Sequence, residues 1–270
     1  MIVTIINDCR DANVASRQIT RASSLFKYPA TLVGVDNELE AAGNLIDAMD
    51  ASEGRQGVVL VNVAPRHGKA KKWENGSPFC YFFYGETLIA TTVDGLTLSL
   101  AKKFSLTKSV HVFDAPKTLD ALIEDGLLRD ELKDHILNTQ FRSYDFLPRA
   151  AAYVMKHHSA PGESHSISEV PGAPRAVWWI DNFGNCKTTL LPKEVDYKSI
   201  DALDTLWGTF KCYKRLKDVP DGEPGIVVGS SGIEKDRFLE IVVQGGSAAD
   251  SFGIKSGDVV ELTESAPVSA

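Results

Sequence analysis

The sequence lacks any apolar run near the roughly 18 to 20 residues that a membrane-spanning helix needs. Its N-terminus lacks the basic start, apolar stretch and small-residue cleavage site of a secretory signal. Both absences predict a cytoplasmic protein with no membrane partner. A basic excess is missing too, since 29 Lys and Arg stand against 36 Asp and Glu, a formal charge of -7. Binding nucleic acid through its phosphates needs clustered cations, so the charge argues against that function class. Cysteine is sparse and scattered. Cys9, Cys80, Cys186 and Cys212 form no Cys-x-x-Cys pair and have no nearby His at zinc-ligand spacing, so free thiols and no metal site are expected.

What is present is enough apolar material for a sizeable core. With 270 residues, 43% of them hydrophobic, the chain can form one large or two modest domains. Apolar strands at 2–6, 32–35 and 58–63 alternate with amphipathic stretches at 15–26 and 38–49. Such βαβ alternation predicts an α/β, Rossmann-like N-terminal domain with a mostly parallel sheet. A hairpin-like pair follows at 79–84 and 87–92 around Gly85, then a helix at 96–104, a strand at 109–113 and helical segments at 119–128 and 146–157. The stretch 158–174 carries three prolines and two glycines without periodicity, which reads as an interdomain linker. Beyond it, short strands with Gly and Pro turns suggest an all-β, barrel-like C-terminal domain. The expected division is therefore 1–157, 158–174 and 175–270.

Candidate chemistry concentrates where a short apolar strand, Val177-Trp-Trp-Ile180, runs into Asp181, Phe183, Gly184 and Asn185. A carboxylate, an aromatic face and a carboxamide emerge within five residues, a set suited to an adenine-like ring. The same residues also fit a strand ending in a turn. Four further places carry polar residues at strand ends or Gly-rich loops. These are Asp8 and Asp11 after the first strand, Val58 to Gly68 with its Pro-x-x-Gly loop, Thr92-Val-Asp-Gly-Leu96, and Phe141-Arg-Ser-Tyr-Asp145. Phe238-Leu-Glu-Ile-Val-Val-Gln-Gly-Gly-Ser-Ala-Ala249 completes the series. The segment 246–258 taken alone also looks like the loop, helix and turn of a PDZ-type peptide-binding module.

This order of motifs resembles the S-adenosylmethionine hydroxide adenosyltransferase family, relatives of the fluorinase and chlorinase enzymes. The Ile-Asp-x-Phe-Gly-Asn and Leu-Glu-Ile-Val-Val-x-x-Gly-Ser-Ala-Ala pieces are its most specific parts, and the N-terminal third matches more loosely. The resemblance implies displacement at the ribose C5′ of S-adenosylmethionine, releasing methionine and, with water as nucleophile, adenosine. It implies no separate cofactor, and a homotrimer whose pockets are shared between neighbouring subunits.

Carried over by position, Asp8 accepts the ribose hydroxyls, although an Asx-turn or helix cap would also use it. Asp181 holds the methionine ammonium, Phe183 covers adenine and Asn185 bonds the ligand through its amide. Gln244, Gly245, Gly246 and Ser247 present main-chain groups to the adenine edge, since glycine lets a ligand approach closely. Ser230 and Ser231 lie near the methionine carboxylate. At the reactive centre the family's Asp, Arg and His fall on Ala64, Lys71 and Arg142. Neither Lys71 nor Arg142 is an ordinary base near neutral pH. With Arg66, His67 and Lys69 they make an electropositive loop suited to an anionic nucleophile, with Ser143 as a hydroxyl donor or helix cap. His67 is the one nearby imidazole, a substitute base or a solvated loop residue. A binding protein that has lost turnover is the alternative.

Overall fold

The structure is a computed structural model and describes residues 1–64, 77–195, 197 and 201–264. Two compact units divide the chain, Met1–Gly172 and Ala173–Ala270.

The first unit is built on a seven-stranded sheet. Its strands are β1 (Ile2–Asn7), β2 (Thr31–Gly34), β3 (Gly57–Asn62), β4 (Phe79–Tyr84), β5 (Thr87–Thr92), β6 (Ser109–Phe113) and β7 (Gly162–Ser166). Their order is β2-β1-β3-β5-β4-β6-β7. Pairing is parallel from β2 through β5 and antiparallel from β5 through β7. The sheet is thus mixed rather than mostly parallel, because the tight turn at Gly85 makes β4 and β5 a hairpin and reverses direction midway. Gly85 is needed there: its φ is 58°, and a Cβ would approach the Gly54 carbonyl oxygen to 2.5 Å.

Helices α1 (Ala12–Phe26) and α2 (Glu38–Ser52) start at side-chain caps, Asp11 and Asn37, that accept amides of the first turn. Further along come α3 (Ser99–Lys103), α4 (Ala115–Glu124), α5 (Lys133–Leu137), α6 (Arg142–Asp145) and α7 (Leu147–His157). Ala22 and Phe26 of α1, Leu119 and Leu122 of α4, and Leu147, Ala151 and Val154 of α7 share one core with Val3, Ile5, Val58 and Leu60 of the sheet. Every residue of β3 is buried, as befits a central strand covered on both faces.

The segment 158–174, expected as a linker, contains β7, which pairs antiparallel with β6 from Ser109↔Ser166 to Phe113↔Gly162. Gly-Glu-Ser-His-Ser has no apolar alternation because this is an edge strand with little to bury. The first unit therefore extends beyond 157, to Gly172.

In the second unit the strands are β8 (Val177–Ile180), β9 (Cys186–Thr188), β10 (Ala202–Thr205), β11 (Gly208–Tyr213), β12 (Pro224–Ile233), β13 (Asp236–Val243) and β14 (Thr263–Glu264), with one short α-helix, α8 (Ala248–Phe252). It is β-rich rather than all-β. The order is β14-β10-β11-β12-β13-β9-β8, antiparallel except for β11 with β12. Val177, Cys186, Leu203, Phe210, Ile226, Leu239 and Ile241 form its core. The stretch 257–264 bonds to both ends of this order. Its Gly257 amide donates to the Val177 carbonyl, the Val177 amide donates to Asp258, and β14 pairs with β10. Among the described residues no helix is long and apolar enough to cross a membrane.

Candidate functional site

In the first unit the chain leaves β1 through α1 to β2 on one side, then crosses through α2 to β3 on the other. Strand order reverses between β1 and β3, and the crevice outside the carboxyl ends at such a reversal is where α/β sheets bind ligands. Asp8, half-buried, is the first residue past β1. Its neighbours fill the ordinary turn and cap roles. Asn7 Oδ1 accepts the Cys9 amide at 2.8 Å, and Asp11 accepts the amides of Asn13 and Val14 at 3.1 Å. Asn7 Nδ2 donates to Gln18 Oε1 at 2.9 Å and Gln18 Nε2 to the Cys9 carbonyl at 3.0 Å. This amide relay fixes the turn that carries Asp8.

Asn7 also stands opposite Asn62 at the parallel strand ends. Together with Gln18, Arg21 and Ser143 they line a cavity of about 10 Å³, room for a single water with several polar partners. Ser143 belongs to α6, whose side chains diverge. Tyr144 is covered by Arg17 at 4.7 Å and Arg21 at 4.1 Å, measured to the ring centroid, and its hydroxyl accepts from Arg21 at 2.8 Å. Asp145 is buried beside Arg21 at 3.5 Å and accepts from Thr139 Oγ1 at 2.8 Å.

Arg142 turns toward the start of β4. Its Nη1 donates to the Ser77 carbonyl at 3.0 Å and its guanidinium lies 5.1 Å from the Phe79 ring centroid, a cation–π distance. Burial lowers its pKa from the ordinary arginine value, but a guanidinium remains charged at neutral pH. Arg142 and Phe146 also line a cavity of about 250 Å³. Ala64 lies just past β3 and is half-buried. Lys71 and His67, with Arg66 and Lys69, lie outside the described residues.

The second unit closes the Asp181 loop on itself. Asp181 Oδ1 accepts the amides of Phe183 at 2.9 Å and Asn185 at 3.0 Å, and Oδ2 accepts Asn185 Nδ2 at 3.0 Å. A carboxylate offers about four acceptor positions, so this loop occupies most of them. Phe183 is left projecting, 70% exposed. Gly184, at φ 80°, sits against Ser247, and its carbonyl accepts the Ala249 amide at 3.0 Å. Asp181, Phe183, Asn185 and Ser247 are thereby brought together.

Other positions serve the fold more than an open surface. The Gln244 amide donates to Glu223 and its carbonyl accepts from Gly222, while the Gly246 amide donates to Val243. The turn and the neighbouring loop thus use these main-chain groups, which the resemblance assigns to the adenine edge. Gly245, with φ 72°, is exposed. The Ser247 hydroxyl caps α8 by accepting the Asp250 amide at 3.0 Å. Ser230 and Ser231 sit near Gly232, which pairs with Arg237 at the opposite end of β13. At about 3.3 Å per residue that places them roughly 20 Å along the sheet from Gln244. Ser231 is buried and accepts from Lys187 Nζ at 2.6 Å, so it does not join the Asp181 set.

Sequence reasoning passed over Asn7, Gln18 and Arg21. The i, i+4 arginines of α1 were the available signal for the last, together with the aromatic residues that follow Gln140. Lys187 and Glu240, register partners across β9 and β13, gave no local signal. Among the described residues no group of three or more His, Cys, Asp or Glu is placed to hold a metal.

Residues 175–261 match the family described as SAM hydroxide adenosyltransferase C-terminal domain. This match supports an S-adenosylmethionine-using enzyme family for the second unit. No curated protein matches the chain. Among solved structures, an uncharacterized conserved protein from Thermotoga maritima is similar at 17% identity and TM-score 0.68, covering 97% of this chain and 100% of its own. A conserved hypothetical protein from Thermus thermophilus is similar at 16% identity and TM-score 0.59, covering 98% and 100%. At such identities the likeness is one of fold.

Proposed function

We propose that this protein binds S-adenosylmethionine and catalyses displacement at its ribose C5′, forming adenosine when water or hydroxide attacks. The observation that carries the reading is the coincidence of the family match over 175–261 with a preordered loop that leaves Phe183 exposed. In this reading Phe183 stacks on adenine, Asp181 and Asn185 orient the ligand, and Asp8 accepts the ribose diol. The nucleophile forms the bond to C5′ while the C5′–S pair of electrons returns to sulfur, releasing methionine as a neutral thioether and, when water attacks, a proton to solvent. The sulfonium is already a good leaving group, so placing the nucleophile in line supplies much of the rate. The homotrimer implied by the resemblance and the cytoplasmic setting expected from the sequence belong to the same proposal.

A second reading, a nucleoside-binding protein with impaired turnover, is favoured by Ala64 past β3 and by the Arg142 guanidinium held at Ser77 and Phe79. Neither residue removes a proton at neutral pH. Incubation with S-adenosylmethionine followed by chromatography separates the readings. Adenosine and methionine in equal amounts support the enzyme. Intact S-adenosylmethionine that nonetheless raises the melting temperature supports the binding protein. Neither product nor shift sinks both.

A further inference from the structure

The second unit holds a cavity of about 920 Å³ at the end of β9 and the start of β13, away from the Asp181 loop that precedes β9. Among the described residues its charged lining is Lys193, Lys214, Lys235 and Arg237 against Asp201 and Asp236. Asp236 is already paired with Lys193 at 3.6 Å. Cations therefore exceed carboxylates locally, in a chain whose formal charge is -7. A concave wall with an excess of positive charge concentrates anionic ligands.

Two residues of the lining, Arg237 and Tyr197, are held by hydrogen bonds. Arg237 Nη1 donates to the carbonyls of Ser230 at 3.1 Å and Gly232 at 3.2 Å, both beside the irregularity in β12. The Tyr197 hydroxyl is shared between the carbonyls of Tyr213 at 2.7 Å and Ile226 at 2.6 Å. Burial raises the pKa of that phenol, and burial with Asp201 pushes the Cys212 thiol up to about 11. Both stay neutral at pH 7 and do not offset the cations. S-adenosylmethionine, with a sulfonium and an ammonium against one carboxylate, carries the wrong net charge for this wall.

We propose that this cavity is a second ligand site, for a small polyphosphate anion. Lys193, Lys214 and Lys235 from separate loops, with Arg237 of β13, can meet a triphosphate through charge-assisted hydrogen bonds. The volume lies at the upper end of the roughly 300 to 1,000 Å³ typical of small-molecule sites, leaving space for a nucleoside attached to the phosphates.

Calorimetric titration of the full chain with tripolyphosphate, and separately with ATP, tests this. One site per chain is expected, weakening as salt is raised from about 50 to 200 mM because the attraction is screened. Tighter binding of ATP assigns a nucleoside to the remaining space, and equal binding assigns the phosphates alone. The double variant Lys214→Glu with Lys235→Glu should lose at least tenfold in affinity. Its folding is read from circular dichroism, and tripolyphosphate, which carries no adenosine, keeps the result independent of the adenosine pocket. Should that variant not fold, Lys235→Ala should still lose severalfold. Absence of binding by both probes, undiminished binding in the variants, or binding of an oligonucleotide alone would overturn the proposal.

Discussion

Gly184 rests directly on Ser247: a Cβ built at Gly184 would lie 2.0 Å from the Ser247 hydroxyl oxygen. Its φ of 80° independently favours glycine. Gly184→Ala should therefore lower the stability of the second unit by about 2 to 4 kcal/mol, from backbone strain and overpacking together. Urea unfolding followed by tryptophan fluorescence measures this, and a loss under about 0.5 kcal/mol, the scale of an ordinary surface substitution, would show that the loop does not press on α8.

Phe183→Ala should separate binding from folding. The ring is 70% exposed, so stability should change by less than about 0.5 kcal/mol, whereas adenosine affinity should fall by about 1 to 3 kcal/mol, the scale of a base–aromatic stack. Undiminished affinity in a folded variant would remove Phe183 from the pocket.

Asp8→Asn keeps the shape at the end of β1 and removes the charge. Adenosine should bind at least about tenfold more weakly, since hydrogen bonds to a charged group contribute roughly 1.5 to 3 kcal/mol, while 2′-deoxyadenosine should lose much less. Equal losses for the two ligands would rule out acceptance of the ribose diol.

The thiols set an alkaline limit. Burial, with Asp181 adding to it, pushes Cys186 up to about 12, and burial with Asp201 pushes Cys212 up to about 11. An unfolded thiol ionises near pH 8.5. Above that pH the native state binds more protons than the unfolded state, so stability falls as pH rises toward the folded values. Below the unfolded value this contribution is fully present. Denaturant midpoints at pH 8 and pH 10 should show the decline, and replacing Cys186 and Cys212 with Ala should flatten it.

On the positions that the family resemblance implies, placing an acid, an arginine and an imidazole through Ala64→Asp, Lys71→Arg and Arg142→His should raise adenosine production, as acid–base groups typically contribute about 10² to 10⁴ in rate. Arg142→Ala alone should weaken any dependence of turnover on added anions. A natural protein already as fast as the restored variant would move the base elsewhere, with His67 the first residue to replace.

Much of the architecture was readable because its signals are local. The hairpin-like pair at 79–84 and 87–92 around Gly85 became β4 and β5 with those bounds. Apolar periodicity found α1 but started it at 15, since the cap at Asp11 precedes the first apolar repeat. The helix expected at 96–104 shortened to Ser99–Lys103, where the Glu38 carboxylate binds the Leu96 amide at 2.9 Å and holds the preceding loop in a turn. The Asp181 loop was legible for the same local reason. Ser230 and Ser231 were not separable from Gln244 in the sequence, because their distance depends on the register of β12 with β13. The amide relay at Asn7 and Gln18 was hidden for another reason: polar residues eleven apart meet only after α1 has packed on its strand.

β7 determines more than where the first unit ends. An outermost strand exposes a row of unpaired backbone groups to which a foreign chain can add. Here that strand reads Gly162-Glu-Ser-His-Ser166, with its first three residues exposed. A solvated charge and small hydroxyls give an incoming strand no greasy surface to settle on. The polar composition that disguised this segment as a tether is thus also what should keep the folded protein from polymerising edge to edge at high concentration.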